Sequence, residues 1–228
     1  MNVSCLSYND DCVRFSDNYE GQVDSVVTDP PYGIEYLGND WDSYQNCIAF
    51  KKSTWESISK PLKPGGYLVI FGASKTFHRL TCAVEDSGLK IKDVLMWLYG
   101  QGMPKSQNIG KKDPNWEGWG TGLKPCYEPI LLAQKPISEK TIVKNFQKHG
   151  VGGINIEESR LESGRWAGNV LHDGSDEVEE QFAKFGERGN GWARNYGTED
   201  YQGRQYGGGV FGCLLYTSPS PRDQRGAG

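Results

Sequence analysis

No stretch of the 228-residue chain is long and apolar enough to cross a membrane: its most apolar runs, residues 67–71 and 129–133, fall far short. A span needs roughly 20 such residues. The first residues, MNVSCLSYNDDC, have neither a basic start nor an apolar stretch, which argues against a secretory signal. Six cysteines, at 5, 12, 47, 82, 126 and 213, never form a CxxC pair, and His78, His149 and His172 share no ligand spacing with them or with one another. A disulfide framework or zinc site is therefore not expected, no metal is assigned, and free thiols point to the cytoplasm. Phosphate-loop motifs are also missing. What is plentiful is glycine, 30 residues, beside an apolar share of 36%, a composition that suits one soluble domain.

Net charge is small, at −4, yet the charges are unevenly placed. Residues 1–50 hold one basic and nine acidic side chains, 51–150 hold sixteen and eight, and 151–212 hold six and eleven. A basic face on an acidic protein can still hold a polyanion through local potential. Solvated lysines explain the same pattern, and charge alone leaves both readings open.

The β-branched run QVDSVVT at 22–28 reads as a strand that stops at Asp29-Pro30-Pro31, because two prolines cannot continue a central strand. Residues 43–60 carry a helical apolar spacing, and Lys63-Pro64-Gly65-Gly66 reads as the turn that closes it. Further strands are expected at 67–72, 91–98 and 129–133, with a helix at 75–86. Alternating strands and helices predict an α/β fold with a mostly parallel sheet. Beyond residue 150 glycine rises and apolar residues thin out, so little regular structure is expected in 151–212.

The sharpest feature is Asp29-Pro30-Pro31-Tyr32, delivered to a loop by a strand and followed by Gly33. An exocyclic amine on a nucleobase is a poor nucleophile while its lone pair is delocalised into the ring. Two hydrogen-bond acceptors on its N–H groups favour pyramidalisation. The Asp29 carboxylate can supply one and the Pro30 carbonyl, stiffened by Pro31, the other. Tyr32 offers a face on which an extruded base can stack, a role that Tyr32→Phe should largely preserve. A turn with an aromatic packed beside it is the bland alternative.

DPPYG after this strand, with GNDWD downstream, resembles the amino-group DNA methyltransferases that modify adenine N6 or cytosine N4 with S-adenosylmethionine. The resemblance covers most of residues 9–173 and includes LKPGGYLVIFG (62–72), WLYGQGMPKSQNIGK (97–111), GWGTGLKPCYEPILLAQKP (118–136) and GRWAGNVLHDG (164–174). It implies a Rossmann-like S-adenosylmethionine-dependent methyltransferase fold, here incomplete, and an adenine N6 preference from the Asp in the motif. It implies catalytic roles for Asp29, Pro30, Pro31 and Tyr32, and cofactor contacts from Asp11, Cys12 and Asp29, with Asp11-Cys12 at the family's G-D-C position. Double-stranded DNA is the implied partner, a cognate restriction enzyme being left open. Lys105, Ser106, Lys111 and Lys112, interleaved with aromatics, are the expected DNA contacts. The expected layout is a catalytic domain over 1–150 with a recognition loop at 97–125, a glycine-rich continuation over 151–212 and a non-native tail over 213–228. The family's Gly-rich cofactor loop is missing after the linker, so truncation and catalytic silence of the chain are expected. Methylation of RNA or of a protein amide, and a DNA-binding fragment without turnover, are the alternatives.

Overall fold

A computed structural model of the protein describes residues 5–100, 102, 106–160 and 166–183. The expectations for Lys105, for 184–212 and for 213–228 lie outside these residues. The chain divides into two units, Met1–Trp97 with Tyr127–Ile154, and Leu98–Cys126 with Asn155–Gly228.

The first unit contains α1 (Cys12–Asn18), β1 (Val23–Thr28), α2 (Lys52–Ile58), β2 (Leu62–Phe71), α3 (Phe77–Asp86), all but the last residue of β3 (Lys90–Leu98), β4 (Tyr127–Gln134) and α4 (Ile142–His149). Its strands lie in the order β1-β2-β4-β3. β1 runs parallel to β2, with Val26 beside Leu68 and Thr28 beside Ile70. β4 runs antiparallel to β2, Phe71 pairing with Ile130 and Tyr67 with Gln134. The sheet is thus mixed where a mostly parallel one was expected. A strand's apolar pattern has no direction, but its connection does: a parallel return needs a crossover, usually helical, and no described residue between β3 and β4 is in an α-helix.

Trp55, Leu68, Ile70, Leu80, Val84 and Leu131, none more than 2% exposed, pack α2 and α3 onto the sheet. Each buried side chain of this size contributes about 1.5–3 kcal/mol. The helix expected over 43–60 is realised only from Lys52 to Ile58; before it the chain makes tight 3-10 turns, Asp40–Asp42 and Ile48–Phe50. Those bends let the Trp55 indole donate to the Ala49 carbonyl at 2.8 Å. Lys63-Pro64-Gly65-Gly66 does not close a turn but bulges within β2, since Val23 pairs with Leu62 and Ser25 already with Tyr67.

Buried Asn145 of α4 fills the bulge, its Nδ2 donating to Pro64 O at 2.9 Å and Val151 O at 3.0 Å while its Oδ1 accepts from Ser138 N at 3.0 Å. α4 has ordinary signals, a Thr141 cap and left-handed Gly150, and is a helix the sequence reading did not single out; its apolar Ile142, Val143 and Phe146 face outward. The second unit adds β5 (Val170–His172) and α5 (Asp176–Ala183), regular elements inside the stretch expected to have little.

Candidate active site

β1 ends at Thr28, and the two prolines carry the chain off the sheet at the carboxyl ends of β1 and β2. Asp29 is exposed there; Pro30, Pro31 and Tyr32 are half-buried. Neighbouring elements hold the loop. The Cys47 thiol donates to Pro31 O at 3.2 Å, and burial pushes that thiol up, keeping it a donor. Thr76, at the start of α3, donates its hydroxyl to Tyr32 O at 2.6 Å. Asp42, 2% exposed, accepts the backbone N–H groups of Gly33 at 2.7 Å, Ile34 at 3.3 Å and Tyr36 at 2.9 Å. Gly33 has φ +65°, and a Cβ there would strike the Phe50 ring. Among the described residues, Pro30 O has no internal donor, although both following carbonyls do.

β4 brings a residue that the sequence reading did not single out. Because β4 is antiparallel, its first residues, not its last, lie where β1 and β2 end: Gly72 N donates to Pro129 O at 3.0 Å. Glu128 precedes that proline, and the Tyr32 hydroxyl donates to its Oε2 at 3.4 Å. Asp29 faces the same hydroxyl. Burial first, then Asp29 and Glu128, push the Tyr32 phenol well above its ordinary range, so it stays protonated. The signal for Glu128 was present in the quoted CYEPILL string, but only strand direction gives it meaning.

The expected cofactor residues lie at α1. Asp11 caps that helix, its Oδ1 accepting Val13 N at 3.0 Å and Arg14 N at 2.9 Å, and Cys12 is exposed in the first turn. No hydrogen bond among the described residues joins them to Asp29. A shallow cavity of about 420 Å³ beside α1 is lined by Asp10, Phe15, Asn18, Tyr19, Glu20 and Gly21, with neither Asp11 nor Cys12 in its wall. Phe15 lies between Tyr8 and Tyr19, with ring centroids 4.9 and 5.3 Å away. Asp11 keeps Oδ2 free of internal donors among the described residues, an acceptor that suits an adenine amine or a ribose hydroxyl, whereas the cavity opens by residues 19–21 at the start of β1, the end opposite Asp29. The fit extends to the nucleoside end only.

In the second unit Ser106 pins a hairpin: its Oγ accepts Thr121 N at 3.0 Å and Gly122 N at 3.2 Å, beside the bridge between Asn108 and Gly120. That occupies much of the hydroxyl expected to meet DNA. Lys111 and Lys112 are exposed, as are Trp116 and Trp119, which meet edge to face at 5.6 Å.

A family model for DNA methylases of the N6/N4 type matches residues 23–201. The type II methyltransferase M.HindIII of Haemophilus influenzae is 25% identical over 203 residues, 67% of this chain and 65% of its own length. M.HpaI of Haemophilus parainfluenzae is 28% identical over 123 residues, 51% of this chain and 34% of its own. The chain therefore spans less than two thirds of either relative. Among solved structures, the cytosine-N4-specific PvuII DNA methyltransferase aligns at a TM-score of 0.45 and 15% identity, covering 78% of this chain and 61% of that one. The M1.HpyAVI complex with S-adenosylmethionine aligns at 0.38 and 19%, covering 58% and 55%. A family match across most of the chain, with the DPPY loop inside it, places this protein among the DNA amino-methyltransferases, whose cofactor is S-adenosylmethionine.

Proposed function

We propose that this chain is the amine-binding part of a site-specific DNA methyltransferase acting on adenine N6 of a base turned out of the duplex. The observation that carries the reading is the distribution of acceptors in the loop. Pro31 O and Tyr32 O are occupied by Cys47 and Thr76, whereas Asp29 is exposed and Pro30 O has no internal donor among the described residues. An amine with two N–H groups needs two such acceptors. Asp29 and Pro30 together draw the nitrogen out of conjugation, and Tyr32 supports the ring beside them. When bound, S-adenosylmethionine supplies an electrophilic methyl group; Asp11 and Cys12 at the start of α1, with Asp29, are the residues that would hold it. Direct transfer to the amine requires no cysteine nucleophile, and Cys47, the thiol that touches the loop, is buried and already committed to Pro31 O. Lys111 and Lys112 would meet phosphates, with Trp116 and Trp119 available for stacking.

The test is methyl transfer from labelled cofactor to DNA, RNA and protein in parallel by the full-length protein, this chain alone being expected to give none, followed by nucleoside mass spectrometry. N6-methyladenine in DNA supports the reading. N4-methylcytosine would keep the family chemistry and correct the base, and label in RNA or protein alone would overturn the substrate.

A further inference from the structure

We propose that Glu128 is a positioning residue of this loop: it takes the Tyr32 hydroxyl as a hydrogen-bond donor, fixing the ring on which the base stacks and releasing Asp29 for the amine. The inference rests on the amine-site reading above.

The argument begins with what holds Tyr32. Thr76 fixes its carbonyl at 2.6 Å and Asp42 fixes the next N–H at 2.7 Å, so the main chain is set on both sides. Neither contact sets the side-chain torsions, so a hydrogen bond at the far end of the half-buried ring adds a restraint that the main chain does not supply. Two acceptors face the hydroxyl there: Asp29 from its own loop and Glu128 from β4. A phenol has one proton and can serve one acceptor fully at a time. If it served Asp29, a carboxylate lone pair wanted by the amine would be taken, and the ring would be drawn toward the amine's place. Glu128 offers the alternative. Its Oε2 lies 3.4 Å away, long for a closed hydrogen bond and short enough to close by a small rotation. It stands on a strand paired to β2, next to Pro129, whose carbonyl is held by Gly72 N at 3.0 Å. A strand-mounted acceptor can therefore hold the ring more firmly than a loop carboxylate can.

The experiment uses the full-length protein that contains this chain and its Glu128→Ala, Glu128→Gln, Tyr32→Phe and Glu128→Ala/Tyr32→Phe variants. Two readouts are taken: fluorescence of DNA carrying 2-aminopurine at the adenine that the wild type methylates, and kcat and KM for transfer. Thermal melting accompanies both. Glu128→Ala should lose on the order of tenfold in kcat, the worth of one hydrogen bond, with a weaker base-capture signal and little change in melting. Glu128→Gln, which keeps an acceptor, should recover most of the loss. In the Tyr32→Phe background Glu128→Ala should cost nothing further, because the bond it removes is already gone. Additive losses in the double variant, or a Glu128→Ala protein equal to wild type, would overturn the inference while leaving the amine site intact. A full-length wild type that neither captures the base nor methylates DNA would overturn the amine-site reading, and this inference with it.

Discussion

At Asp29 and Asp42 two carboxylates thirteen residues apart do opposite work. Asp29 is exposed and open to a ligand; Asp42 is buried and spent on three backbone N–H groups. In the full-length protein Asp29→Ala should therefore reduce methyl transfer by about a hundredfold or more, with DNA affinity nearly unchanged, since the carboxylate acts on the amine and touches no phosphate. Filter binding and initial rates measure the two separately, and retained turnover would refute the role. Asp42→Ala should act through folding, leaving three N–H groups without an acceptor at a cost of about 2–4 kcal/mol in a urea titration. Tyr32→Phe was expected to be mild on the argument that stacking needs only a ring. The hydroxyl's place between Asp29 and Glu128 changes that expectation to a measurable loss, read as kcat.

Among the elements, β4 and α4 carry the largest consequences. β4 is apolar enough to be read as a strand, but its direction decides which of its ends meets the DPPY loop, and the antiparallel course delivers Glu128. α4 anchors the β2 bulge through Asn145, which is fully buried and makes three hydrogen bonds. Asn145→Leu should destabilise the protein by about 3 kcal/mol or more, because Pro64 O, Val151 O and Ser138 N lose their partner in a dry site. Denaturant unfolding checks this; an unchanged midpoint would mean that water replaces the side chain. Gly65 belongs to the same device: its φ of +86° and the Asn145 amide against its missing Cβ exclude alanine there.

For the whole molecule the formal charge of −4 misleads, since the basic excess falls in residues 51–150. Lys111→Ala with Lys112→Ala should weaken binding to all DNA sequences alike and lower the slope of log K against log salt by up to about 0.9 per lost phosphate contact. An unchanged slope would return both lysines to the solvated surface. Most of the first unit's strands, the α/β class and the DPPY loop were legible in the sequence, because apolar periodicity and proline act over a few residues and need no partner. The bulge at Lys63–Gly66 was misread as a turn for the same local reason: proline and glycine mark an interruption without saying whether the strand resumes. Strand direction, the burial of Asp42 and the meeting of Tyr32 with Glu128, 96 residues apart, were not legible. Those depend on which end of a strand lies beside which loop, and only the folded sheet, pairing distant segments through backbone hydrogen bonds, decides that.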